Sequence, residues 1–380
     1  MREKLYDKDS YIKEFTATVV SCEEYFENFA IVLDKTAFFP EGGGQGSDRG
    51  FLDNAKVSDV QIKDGEIIHI TDSALAVGGT VTGIIDFERR FDFMQQHSGE
   101  HIVSGVAHRL YGCENVGFHL GEDIVTLDFD KPLTKEQILK IELESNKAVY
   151  ENRKFYTYYP DKETLENLCY RSKKEIEGDI RIVEIEGVDM CACCAPHVKN
   201  SGEIGIIKLL GVESLRGGVR IELKCAKRAL SDYNEKYENI KEISAKLCVK
   251  QKQTADAVLK LCEQISALKF EITSLKREIL ANKVEAFAPE KPITVVFEDG
   301  FEIKELQHYA DALYKKCGGI RAVLSHGENG FSFAICGEEN SLNEFFGKFK
   351  STFTVRGGGR NGMVQGTVIA EREELEAFFI

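Results

Sequence analysis

Between residues 226 and 285 the chain contains neither proline nor glycine, and no other feature limits its possible architecture as much. One frame of three- and four-residue steps runs through Leu230, Tyr233, Tyr237, Ile240, Leu247, Val258, Leu261, Ile265, Leu268, Ile272, Leu275 and Ile279, with polar Ser244, Gln251 and Thr254 on the same seam. That period predicts a long helix or a helical hairpin with coiled-coil packing. The polar residues mark a bend or set the register. As an arm it separates a larger body from a smaller domain after Pro289 and Pro292, and it serves either as a spacer or for dimerisation.

Ahead of the arm the period changes twice. Residues from about 12 to 90 alternate apolar and polar in short runs such as Phe15-Thr16-Ala17-Thr18-Val19-Val20, separated by Gly and Asp turns, the pattern of a compact β domain. Met94, His97, His101, Val103 and Leu110 then suit a helix over 92–111, and Lys135 to Asn152 a second one. Strands are expected at Leu127–Phe129, Arg181–Ile185, Glu203–Leu209 and Gly217–Leu223. Beyond the arm, the strands and helix of 293–335 lead to Gly357-Gly358-Gly359, expected to open a loop that ends in Met363-Val364-Gln365-Gly366. The fold class is therefore α+β, with a small barrel-like β domain (1–90), an α+β domain (91–225), the helical arm (226–288) and a small α/β domain (289–380).

No apolar run approaches the roughly 18 residues a membrane span requires, and Met1-Arg2-Glu3-Lys4 opens no signal core. A cytoplasmic location is expected. Eleven cysteines are too sparse for a secreted disulfide scaffold, so Cys191, Cys193 and Cys194 stand out as a cluster in a reducing compartment. The net charge of −14 argues against a basic field over the whole surface. The excess acid lies before residue 225, so any nucleic-acid contact depends on local basic patches.

The strongest chemical signal is His97-Ser98-Gly99-Glu100-His101. Residues four apart share a helix face, so both imidazoles can reach one ion. Cys193-Cys194-Ala195-Pro196-His197 supplies another pair four apart. His97, His101, Cys193 and His197 make a tetrahedral set for a single Zn2+, although spacing alone leaves Cys191 and Cys194 open as the thiolate. His119, after Gly117-Phe118, is expected in a loop near the metal helix. Two histidines flanking a Glu are also the motif of inverted zincin peptidases, in which that Glu activates water. The Cys/His pair argues against that rival, because a peptidase of that type uses a distant carboxylate.

The four ligand positions, together with Phe38-Phe39-Pro40-Glu41-Gly42-Gly43-Gly44-Gln45 and Ser201-Gly202-Glu203-Ile204-Gly205, resemble the editing domain of alanyl-tRNA synthetase and its free-standing relatives. Residues 226–380 resemble the helical arm and glycine-rich C-terminal domain of the long form. Ala195-Pro196 departs from the family's Gly-Thr before the last ligand, Gly46 stands where Pro is common, and Glu100 where Thr is common. The resemblance implies a zinc-dependent hydrolase that removes serine, or glycine, from tRNA for alanine. It implies Thr36 as partner of the serine hydroxyl, with Gln45 in the same pocket. Glu100 is the candidate base, or else orients a ligand. Arg216-Gly217-Gly218-Val219-Arg220 and Arg356-Gly357-Gly358-Gly359-Arg360 are candidate tRNA contacts, since each frames glycines with two guanidiniums. A homodimer through the arm or the C-terminal domain is a further expectation. Two other readings remain: a threonyl-tRNA editing relative, and a tRNA-binding protein in which zinc is only a structural staple.

Overall fold

The computed structural model describes residues 2–172, 180–289, 291–327 and 330–380. It divides into two compact units, residues 1–243 and 244–380. In the first, β1 (Glu14–Tyr25), β2 (Asn28–Leu33), β3 (Gly50–Leu52), β4 (Ala55–Lys63), β5 (Glu66–Thr71) and β6 (Thr80–Ile85) close into a barrel in the order β1-β2-β5-β4-β3-β6. Alternation sets the faces: Phe15, Ala17 and Val19 of β1 point inward while Glu14, Thr16 and Val20 are exposed. The β4–β5 turn is Asp64-Gly65, with φ of +51° and +80°, the left-handed pair that a type I′ hairpin requires. The segment after β2 turns back into the barrel, where Phe38 and Phe39 are buried and Phe38 meets Phe15 edge-on.

Helix α1 (Phe87–Tyr111) follows. It starts at Phe87, ahead of the expected residue 92, because the Asp86 side chain accepts from the Arg89 amide; Gly112, at φ +62°, ends it. Every residue from Gln96 to Ala107 is buried, so the polar groups on this stretch need partners inside the protein. Around it lie β7 (Asn115–Leu120), β8 (Val125–Phe129), α2 (Lys135–Tyr150), β9 (Phe155–Tyr158), β10 (Ile182–Ile185), β11 (Asp189–Ala192), β12 (Ile207–Leu215) and β13 (Gly218–Cys225). They form a four-stranded sheet in the order β12-β13-β8-β7 and a three-stranded sheet β9-β10-β11. The strand expected at Glu203–Leu209 is divided. Ser201–Ile204 is a 3-10 turn, Gly205 has φ +74°, and β12 begins at Ile207.

The barrel is bonded to α1 by a buried ion pair. Arg90, with a fully buried side chain, donates its Nε to both oxygens of Asp48 at 2.8 and 3.0 Å and its Nη groups to the Ser10 and Ala37 carbonyls at 3.0 and 2.6 Å. Asp48 also accepts from the Phe39 amide at 2.5 Å.

Of the long helix or helical hairpin expected over 226–285, the structure has two helices, α3 (Ala226–Lys246) and α4 (Thr254–Ala286), interrupted where the seam turns polar, with Cys248 at φ +53°. In the second unit β14 (Ile293–Glu298), α5 (Ile303–Cys317), β15 (Ile320–Gly327), β16 (Gly330–Cys336), α6 (Glu339–Thr352), β17 (Thr354–Arg360) and β18 (Met363–Ile369) give a sheet in the order β14-β15-β16-β18-β17. Only β14 and β15 run parallel; the other pairs are antiparallel. Gly357-Gly358-Gly359 is thus edge strand, not loop. The backbones of β17 and β18 approach so closely that a Cβ on Gly359 would lie 1.9 Å from the Met363 carbonyl oxygen, a space that only glycine leaves open.

Replacing Arg90 by Met leaves the Asp48 carboxylate buried without its cation, and we expect a loss of about 3–5 kcal/mol, read as a lowered midpoint in urea denaturation.

Candidate metal centre

Helix periodicity puts His97 and His101 on one face of α1, with ring centroids 5.4 Å apart. The turn after β11 brings Cys193 and His197 against them, and His197 lies 4.9 and 4.7 Å, ring to ring, from His97 and His101. Each imidazole is held by its Nδ1: His97 donates to Gln45 Oε1 (2.7 Å), His101 to Asp189 Oδ2 (3.2 Å), and His197 pairs with Ser98 Oγ (3.0 Å). That leaves the Nε2 atoms on the inner side with the thiol. Cys193 Sγ is 3.7 Å from His97 Nε2 and 3.4 Å from His197 Nε2, and the four ligand atoms all lie within 4.8 Å of one another. Tetrahedral zinc with nitrogen and sulfur ligands places neighbouring donors ~3.3–3.6 Å apart. The donor set fits such an ion with only small adjustments.

The electrostatics favour a cation. Burial alone would raise the Cys193 thiol, yet the charge of His97 and the hydrogen bonds from the three imidazoles outweigh it, and the thiol sits well below its ordinary range. Burial holds His197 down to about 3, hence neutral, the form a metal requires. At His101 burial works downward, but Glu100 and Asp189 win and raise it to about 9. The same anions favour positive charge at that point.

Glu100 is fully buried beside the ligands. Its Oε1 accepts from Ser104 Oγ (2.7 Å) and Asn115 Nδ2 (2.6 Å), which turns Oε2 toward His101 Nε2 (3.8 Å) and His97 Nε2 (4.0 Å). Gln45, with its Oε1 committed to His97, has a buried Nε2 without a partner among the described residues. Thr36 is buried in a second polar pair. His69 Nδ1 donates to the Ile31 carbonyl (3.0 Å), so its Nε2 must accept the Thr36 hydroxyl hydrogen (2.8 Å), while the Phe38 amide donates to Thr36 Oγ1 at 3.1 Å. Thr36 therefore has one lone pair left and no hydrogen to give.

Of the clustered cysteines, only Cys193 joins the four-ligand group among the described residues. Burial pushes the Cys191 thiol far up and the Cys194 thiol up to about 11. His119, expected in a loop near the metal helix, lies exposed on β7, and its neighbour Phe118 packs on His97 at 4.7 Å. Arg216-Gly217 forms the β12–β13 turn, closed by the Leu215–Gly218 pair. Arg220 sits in the strand beyond, held by Asp128 at 2.7 and 2.8 Å, so that stretch offers fewer free guanidiniums than its sequence suggests. Arg356 to Arg360 belong to the second unit. Sequence reasoning missed Asp189, Arg171, Ser98, Asn115 and His69, since only strand pairing and helix packing bring them in; the spacing of Ser98 within the metal motif was the one available cue.

Residues 180–222 match the family described as the threonyl and alanyl tRNA synthetase second additional domain, and residues 8–89 match class II (A) tRNA synthetases. The barrel thus resembles part of class II tRNA synthetases, and the turn that carries Cys193 and His197 resembles their second additional domain. Among relatives, the alanyl-tRNA editing protein AlaX-L of Pyrococcus horikoshii is 29% identical over 99% of this chain and 96% of its own. Alanyl-tRNA editing protein Aarsd1-B of Xenopus laevis is 31% identical over 74% and 72%. The alanine–tRNA ligase of Ignicoccus hospitalis is 32% identical over 73% of this chain, which spans only 31% of the ligase. The chain likewise spans about half, 55%, of mouse Aarsd1. The chain belongs to the alanyl-tRNA editing protein family.

His69 supplies a pH signature. Burial lowers its pKa to about 4, whereas in an unfolded chain it is near 6.5. Between those values the unfolded chain takes up a proton that the folded one refuses, so stability falls as pH drops from about 6.5 to about 4. We expect up to about 3 kcal/mol from this group, measured by urea denaturation across that range and absent in His69→Gln.

Proposed function

We propose that the protein is a deacylase of mischarged tRNA for alanine, hydrolysing the ester of Ser-tRNA(Ala) and also of Gly-tRNA(Ala). Membership of the editing family supports an aminoacyl-tRNA hydrolase. The observation that carries the chemistry is the convergence of three imidazole Nε2 atoms, one acidified thiol and the Glu100 carboxylate on one buried point. His97, His101, Cys193 and His197 would hold one Zn2+, which supplies positive charge to polarise the ester or acidify water. Glu100, fixed through Oε1, would use Oε2 to take a proton from the attacking water and pass it to the leaving ribose oxygen. Gln45 Nε2, unpartnered among the described residues, would be a donor for the substrate.

Thr36 explains the selection. With its hydrogen committed to His69, it can only accept, so a serine hydroxyl satisfies it and an alanine methyl does not. Sites built this way reject the analogue that lacks the hydroxyl by about 10⁴-fold or more. Arg216 to Arg220 and Arg356 to Arg360 would contact the tRNA backbone, and the exposed apolar row of α4, including Leu268 and Ile272, supports a homodimer. No helix among the described residues is long and apolar enough to cross a membrane, in keeping with work in the cytoplasm, where tRNA is charged. The four-ligand set itself favours a second reading, zinc as a structural staple without turnover, because closed tetrahedra are the rule at structural sites.

The test is deacylation of Ser-tRNA(Ala) and Ala-tRNA(Ala). Wild type should release serine and spare alanine, Glu100→Gln should be slowed about 10²–10⁴-fold, and Thr36→Val should lose about 10- to 100-fold on the seryl substrate. Bound zinc and bound tRNA with no turnover by wild type would leave the staple.

A further inference from the structure

The three imidazoles of the metal centre are not held alike. Gln45 and Ser98 are neutral partners of His97 and His197, whereas the partner of His101 is a carboxylate, Asp189, on β11. Asp189 is itself clamped. Arg171 donates Nε to Oδ1 at 2.7 Å and Nη2 to Oδ2 at 2.8 Å, so Oδ2 is shared between the guanidinium and His101. The side chains of Asp189 and Arg171 are only 2% and 10% exposed. Arg171 cannot swing away, because its backbone is sewn to the same strand: its amide donates to the Met190 carbonyl (2.8 Å) and its carbonyl accepts from the Ala192 amide (2.9 Å). Helix α1 makes room for this contact at Gly105, where a Cβ would meet Asp189 Cβ at 2.6 Å.

We propose that Asp189, locked by Arg171, is the positioning residue of the metal centre, fixing the ring of His101 and making it the strongest nitrogen donor of the set. The inference rests on the reading of His97, His101, Cys193 and His197 as ligands of one ion. A carboxylate on Nδ1–H sets the tautomer that presents Nε2 and increases the basicity of that nitrogen, and loss of such a partner typically weakens metal binding 10- to 100-fold. The bidentate clamp keeps Asp189 from becoming a ligand itself. His101, Asp189 and Cys191 also lie close enough to suggest a second ion. Both carboxylate oxygens are spent on Arg171 and His101, however, so the group serves the first site instead of forming another.

The experiment uses the full chain. Zn2+ affinity is measured by chelator competition, and the visible absorption of the Co2+-loaded protein is recorded, for wild type, Asp189→Asn and Arg171→Gln. Asparagine keeps the shape but turns an amide nitrogen toward either Arg171 or His101. We expect a 10- to 100-fold loss of Zn2+ affinity and shifted Co2+ bands in Asp189→Asn, with a smaller shift in the same direction in Arg171→Gln. Arg171→Gln keeps the carboxylate and carries the test should Asp189→Asn fail to fold. A purely structural role for the pair would lower the melting temperature of the metal-free chain and leave affinity and bands unchanged, and that result overturns the proposal. A wild type that takes up neither Zn2+ nor Co2+ overturns the ligand assignment beneath it as well.

Discussion

Helix α1 cannot be removed from the first unit without orphaning polar groups on every side. Its fully buried middle carries two imidazoles, a carboxylate, an amide and two hydroxyls, and a buried polar group without a partner costs about 1–3 kcal/mol. The partners from outside the helix come from separate segments: Gln45 from the loop after β2, Asn115 from β7, Asp189 from β11, Val198 and His197 from the turn beyond it, and Cys225, whose amide and carbonyl both bond Gln96. Satisfying α1 therefore positions several separate stretches of chain, and the imidazole and thiol groups converge as a consequence.

The barrel takes part in the site through the same constraint. Arg90, in the first turn of α1 and ahead of the buried stretch, binds Asp48 and two carbonyls, and Asp48 in turn holds the Phe39 amide. The Phe-Phe-Pro-Glu-Gly-Gly-Gly-Gln segment is thereby anchored at both ends, by Asp48 on one side and by Gln45 against His97 on the other. A loop with three glycines would otherwise be mobile. Tied down, it holds the Gln45 amide against His97, while Thr36 at its head is set by His69 inside the barrel. Charge follows the same logic: Glu100 is hydrogen-bonded by Ser104 and Asn115 and Asp189 is paired with Arg171, so the thiol and the inner nitrogens of the imidazoles are left facing one another.

The alternation of β1, the helical spacing of His97 and His101, and the His/Cys pair at 193 and 197 were legible in the sequence, since each depends on residues near one another in the chain. The same locality explains the errors. Asp86 as a cap moved the start of α1, and Gly357 to Gly359 became strand because β18 pairs with them, which composition cannot foresee. The break at Cys248 fell where polar residues already weakened the seam.

What the sequence by itself determined was the chemistry available: two ligand pairs, a carboxylate between the first two, a threonine and a glutamine in a glycine-rich segment. Tertiary structure decided which atoms meet. Choosing Cys193 over its neighbours depends on which thiol meets the imidazoles, and assigning Thr36 as an acceptor depends on the tautomer of a histidine distant in sequence. Placing Asp189 and Arg171 behind His101 depends on strand register. Hydrogen bonds reach about 3 Å and pair atoms without regard to chain separation, so local spacing carries no record of them.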